Sequence, residues 1–188
     1  MRKAVAVLLL ISYLWLIADG LLGPLYAVFS EKVADASVLE TAGAYAAFLI
    51  VGGVLHLVCG KVADKTKKAK RMMLGGYVLA AISTFGYVFV NDILGLFIVQ
   101  SMLGVANAMS SCTWEGIFSK TIKNDNAVTM WSLVDGGYSL ISGASVIVGG
   151  VLVTLFSFEV LFIVMGSIFV FASILIYFVQ EVQRSPYG

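Results

Sequence analysis

The sequence predicts an all-α integral membrane protein of six transmembrane helices, and three observations predict it. Hydrophobic residues fill 60% of its 188 positions and charged residues only 12%, with a mean hydropathy of +0.98. A soluble domain carries about 25% charged residues, so this composition excludes one. Six stretches have the length, about 20 mostly apolar residues, that a bilayer-spanning helix needs. The basic residues, finally, are gathered on one side of those stretches, which is the bias that fixes orientation during insertion.

The predicted spans are residues 4–29, 38–59, 72–90, 93–119, 128–156 and 160–179. The links at 30–37, 60–71, 91–92, 120–127 and 157–159 are short, which makes sequential neighbours antiparallel. The first span follows Met1, Arg2 and Lys3 as a signal peptide would. It has no small-residue cleavage site and its apolar run continues past Asp19, so it is read as a retained helix. Six spans place both termini on one side. That side receives Arg2, Lys3, six cations of the 60–71 link, Lys120, Lys123 and Arg184, and the other receives Lys32 alone. The reading is a multi-pass protein of the cell (inner or plasma) membrane with both termini cytoplasmic.

Polar side chains within spans are expensive in lipid and turn toward a cavity or a partner. Helix 1 carries Asp19, helix 2 Glu40 and His56, helix 4 Gln100, Asn107 and Glu115, and helix 5 Asp135. Helices 3 and 6 offer only hydroxyls and are read as lipid-facing. Gln100, Gly104, Asn107, Ser111 and Trp114 or Glu115 form one stripe at 3-and-4 spacing on helix 4. Trp131, Asp135, Tyr138, Ser142 and Ser145 form another on helix 5. A rise of ~1.5 Å per residue puts Asp19 and Gln100 at one depth and Asn107 and Asp135 at a second, with Tyr13, Trp15 and Tyr138 between.

The link between helices 2 and 3 reads Gly60-Lys61-Val62-Ala63-Asp64-Lys65-Thr66-Lys67-Lys68-Ala69-Lys70-Arg71. It resembles the signature loop of the major facilitator superfamily, with Gly60, Asp64, Lys65, Lys70 and Arg71 matching and Lys67 standing where that family has a second glycine. Weaker likenesses are Gly23-Pro24-Leu25-Tyr26 in helix 1, Gln100, Gly104 and Asn107 where helix 4 of the family has its Arg and Gly motif, and Gly143, Gly149 and Gly150 in helix 5, without the family's proline. The resemblance implies a six-helix bundle of 3+3 inverted repeats in which helices 1 and 4 line a cavity, 2 and 5 contact the other half, and 3 and 6 lie outside. It also implies that Asp64 engages the start of helix 5 in the other half as part of the inward gate. The family has twelve helices, so a second half is required. A second copy in parallel, joined through helices 2 and 5 as a homodimer, is the simplest source; a different partner half is the alternative. The initial Met-Arg-Lys and the polar tail 180–188 are read against an arbitrary cut.

Asp19 is the leading proton-coupling residue, because burial near the midplane disfavours its charged form, and Gln100 can hydrogen-bond it without holding it ionised. Asp135 is the second, with helix cross-linking as its alternative. The expected substrate-binding set is Tyr13, Trp15, Asp19, Tyr26, Gln100, Asn107, Trp131, Asp135 and Tyr138. His56 is read as a packed interface histidine, Glu115 as solvated or loop-bonding, Glu40 as a first-turn charge favoured by the helix dipole, and Trp114 and Trp131 as interface-belt aromatics. Cys59 and Cys112 are read as small buried residues. No spacing for a metal, a nucleotide or a covalent nucleophile is present, so neither an enzyme nor a cofactor beyond the proton gradient is expected, and no basic surface remains for nucleic acid. The function expected is proton-coupled secondary transport of a small polar solute such as a sugar; export of an organic cation, or a non-transporting half that needs another partner, are the alternatives.

Overall fold

The computed structural model describes residues 2–65, 69–122 and 126–178. Lys67, Lys123, Arg184, the 180–188 tail and the side chain of Asp64 lie outside the described residues, and the predicted gate contact with them. The chain is helical in seven segments: α1 (Arg2–Leu22), α2 (Leu25–Ala34), α3 (Val38–Lys65), α4 (Ala69–Gly86), α5 (Ile93–Thr121), α6 (Ala127–Leu155) and α7 (Phe158–Phe178). A 3₁₀ turn at Tyr87–Phe89 extends α4. All but α2 are long and apolar enough to cross a membrane.

Two boundaries correct the sequence reading. The first span is not one helix over 4–29 but breaks at Gly23-Pro24, because Pro24 has no N–H to donate and its ring crowds the carbonyl four residues back. The Gly23 N–H still reaches the Asp19 carbonyl (3.3 Å), and the Tyr26 N–H restarts the ladder on the Gly23 carbonyl (3.2 Å). α2 then ends on the left-handed Asp35 (φ 48°). The basic link is likewise no loop over its whole length. Residues 61–65 contain no Gly or Pro, and α3 runs through them to Lys65. Elsewhere the ends follow local chemistry. Ser37 and Glu40 form a reciprocal capping box at α3, with the Ser37 N–H donating to Glu40 Oε2 (2.9 Å) and the Glu40 N–H to Ser37 Oγ (3.3 Å). Asp92 caps α5 by accepting from the Gly95 N–H (2.8 Å).

The helices stand in the lateral order α3, α5, α4, α7, α1, α6, each packed chiefly on the next. Counting α1 with α2 as the first span, the spans can be exchanged in the pairs 1 with 4, 2 with 5 and 3 with 6. The set of neighbours then maps onto itself. With three spans per unit, the second unit enters from the opposite side, so the bundle is two inverted repeats. The closest backbone approaches fall on two helix pairs that this exchange relates, α3 with α5 and α1 with α6. A Cβ on Gly104 of α5 would come within 2.6 Å of the Phe48 carbonyl oxygen of α3, and one on Gly149 of α6 would overlap the Leu21 carbonyl of α1. Small residues at such crossings let helices associate in lipid, where apolar burial between helices contributes little. Gly143 and Gly150, expected with Gly149 as one pattern, face open space.

Hydrogen bonds and rings complete the bundle. The Trp114 indole N–H donates to the Leu8 carbonyl (2.8 Å), and the Tyr77 hydroxyl to the Ile11 carbonyl (3.0 Å), pinning α5 and α4 to α1. Ser30 and Thr41 share a hydroxyl hydrogen bond (2.7 Å) between α2 and α3. Trp114, Phe118 and Trp131 form an aromatic cluster at the end bearing the basic link. Phe29, Tyr87, Phe158 and Phe162 form another at the opposite end. Lys70 reaches the Tyr177 carbonyl at the end of α7 (3.4 Å), where a cation meets the negative end of the helix dipole. Helices 3 and 6, read as lipid-facing, are so on one face only. Val78 and Ile82 of α4 and Ile163, Phe171 and Ile174 of α7 point outward, while Met73, Tyr77, Phe162, Met165 and Phe169 form the centre of the core. That inner face is mostly aromatic and aliphatic, with Ser83, Thr84 and Ser173 the buried hydroxyls among them.

Candidate substrate cavity

A cavity of about 400 Å³ opens between the two repeats. From α1 come Ser12, Trp15, Leu16 and Asp19, spaced so that one helix face meets the space. From α5 come Asn107, Ser110, Ser111, Trp114 and Glu115. The walls are completed by Tyr45 and Phe48 of α3, Tyr77 of α4, and Val134, Asp135 and Tyr138 of α6. Asp19, Asp135, Glu115 and Tyr138 are exposed to it, and no Lys or Arg of the described residues lines it. Trp15 is held edge-on by Tyr77 (5.1 Å between centroids) and Phe169 (5.0 Å), which fixes the orientation of its indole on the wall.

Five of the nine expected substrate residues meet here: Trp15, Asp19, Asn107, Asp135 and Tyr138. The other four do not line it. The Tyr13 hydroxyl donates to the Leu133 carbonyl (2.9 Å), and its ring fills the space beside Gly137, so it joins α1 to α6. Trp131 packs edge-on against Phe118 (5.2 Å) in the aromatic cluster. Gln100 is buried at 5% exposure. It stands beside the Tyr26 hydroxyl rather than Asp19, and no hydrogen bond joins Gln100 to Asp19 among the described residues. Tyr26 is buried as well, with its ring 6.2 Å from that of Tyr45.

The structure adds residues that the sequence had assigned elsewhere. Glu115, read as solvated or loop-bonding, lies on the wall with its Oε2 3.6 Å from His56 Nε2, while His56 Nδ1 is 3.1 Å from Ser111 Oγ. His56 of α3 is thus held by two cavity residues of α5, with its side chain 39% exposed rather than packed. The helix 4 stripe already held Ser111, Trp114 and Glu115 at the right spacing. Tyr45 and Phe48 had no polar signal and were missed. Among the described residues no three His, Cys, Asp or Glu side chains cluster as a metal site would.

Six membrane-crossing helices in inverted repeats, with a polar and aromatic cavity where the repeats meet, define a multi-pass membrane transporter bundle. The sequence profile of the Major Facilitator Superfamily matches residues 4–187, and the chain belongs to that superfamily. No curated protein sequence matches it closely enough to stand as a relative.

Proposed function

We propose that this major facilitator protein is a proton-coupled secondary transporter of a small organic solute, working by alternating access as a parallel homodimer. The observation that carries the proposal is the cavity. It brings Asp19 and Asp135 to one space with aromatic and amide side chains, yet it is bounded by one bundle only, so a second bundle is needed to enclose a solute. α3 and α6 flank it, each with only 11% of its span buried, and offer the surfaces for a second copy. Two copies related by an axis along the membrane normal would rock about the shared cavity. Asp19, accessible from the cavity and set in an apolar span, is the group assigned to load and release the proton. Both termini and the 60–71 link are assigned to the cytoplasmic side of the cell membrane by the distribution of cations.

The test is purified full-length protein in liposomes with an internal pH dye and a panel of neutral, cationic and anionic solutes, together with cysteine cross-linking between α3 and α6 of two copies. Cross-linked dimers that move protons with one solute class, and an Asp19→Asn variant that keeps solute exchange but loses uphill movement, are expected. Proton-coupled uphill transport that survives Asp19→Asn would remove Asp19 from the coupling role. A monomer that transports would remove the dimer.

A further inference from the structure

The charge on the cavity wall narrows the solute class, resting on the reading of this cavity as the transport site. Three carboxylates line it, Asp19 from α1, Glu115 from α5 and Asp135 from α6, and no described Lys or Arg does. Among the described residues the one base in an ion-pair contact with a wall carboxylate is His56 of α3, 3.6 Å from Glu115, and it is not itself on the wall. Even a protonated His56 offsets one carboxylate and leaves two without a counter-charge. Among the described residues neither Asp19 nor Asp135 has an ion pair. Six rings, Trp15, Tyr45, Phe48, Tyr77, Trp114 and Tyr138, make up much of the remaining wall, beside Asn107, three serines, Leu16 and Val134, and ring faces attract cations through their quadrupoles.

We infer that the substrate is an organic cation, an amine or quaternary ammonium compound with an apolar or aromatic body, rather than a sugar or an organic anion. An anion would meet like charge on three sides in a poorly screened space. A neutral polyol would leave the carboxylates ionised without a counter-charge, which is costly away from water. A cation with an apolar body satisfies both kinds of wall at once. Asp135 and Glu115 are its charge partners, while Asp19 carries the proton.

The experiment measures equilibrium binding on the purified full-length protein, so that it stands apart from any transport assay. Radiolabelled tetraphenylphosphonium is the cationic probe, with glucose and benzoate as neutral and anionic comparisons. Saturable binding of the cation, displaced by excess unlabelled cation and at least tenfold tighter than either comparison, is expected. Asp135→Asn and Glu115→Gln, which keep side-chain size, should each weaken it about tenfold, and the pair more. Preferential binding of glucose or benzoate overturns the inference while leaving the transport reading in place. Cation binding that is unchanged in the double variant also overturns it, because the carboxylates would then not be the recognition element. If the variants fail to fold, the selectivity of the wild-type protein alone decides. Coupled transport of a sugar or an anion in the liposome panel would likewise sink the cation class and not the transporter.

Discussion

Gly149 gives the sharpest test of how the bundle is held. A Cβ placed there would overlap the Leu21 carbonyl oxygen and lie 2.8 Å from its carbon and 3.0 Å from the Leu21 Cα, all backbone atoms of α1. Backbone cannot rotate away as a side-chain tip can, so Gly149→Ala must push α1 and α6 apart along their contact. Gly150→Ala is the matched control, on the same helix and one residue away, with nothing within 4 Å of the added Cβ. Both substitutions gain about the same helix propensity, at most about 1 kcal/mol, so the difference between them isolates the overlap. Overpacking of this kind costs about 1–3 kcal/mol, which is roughly 5- to 150-fold in the folded-to-unfolded ratio. The assay is unfolding by SDS titration in mixed micelles, followed through tryptophan fluorescence. All three tryptophans report on the affected region, since Trp15 is on α1, Trp131 on α6, and Trp114 bonds to α1. Gly149→Ala should unfold at clearly lower SDS than wild type, and Gly150→Ala at the same or higher SDS. Equal midpoints for the two variants would refute the close α1–α6 crossing.

Trp114→Phe should retain the ring stack on Phe118, 4.7 Å away, and lose the indole hydrogen bond to Leu8, lowering stability by about 0.5–1.5 kcal/mol in the same titration. Ser37→Ala removes one half of the capping box at α3 and should cost about 1 kcal/mol, seen as faster hydrogen exchange in the first turn of α3 with the core of α5 unchanged.

The spans were legible because lipid imposes a length and a composition on any helix that crosses it, whatever that helix packs against. The last four appear within three residues of where hydropathy put them, while the second runs on to Lys65 and the first breaks at Gly23-Pro24. What hydropathy could not supply was the way the helices are turned and interrupted. Pro24 marks a weak point in a helix but does not say whether the chain bends or restarts, because neighbouring helices and local 3₁₀ adjustment decide how much of the ladder is recovered. The inner faces of α4 and α7 were hidden for a related reason. In lipid the core and the surroundings are equally apolar, so the contrast that reveals an amphipathic helix in water is missing.

The site shows the same limit at finer scale. Gln100, Asn107 and Ser111 are separated by seven and four residues and share one face of α5, so the stripe was read correctly as a stripe. Only its lower part meets the cavity, since Gln100 lies ~10 Å farther along the axis than Asn107. It is buried beside Tyr26, and Tyr26 is carried by α2, the segment that restarts after the Gly23-Pro24 break. The Tyr26 ring lies 6.2 Å from that of Tyr45 on the cavity wall. Among the described residues no hydrogen bond joins Asp19 to Gln100, whose neighbour is Tyr26. Asp19 lines the cavity, exposed, and no amide or cation of the described residues is bonded to it.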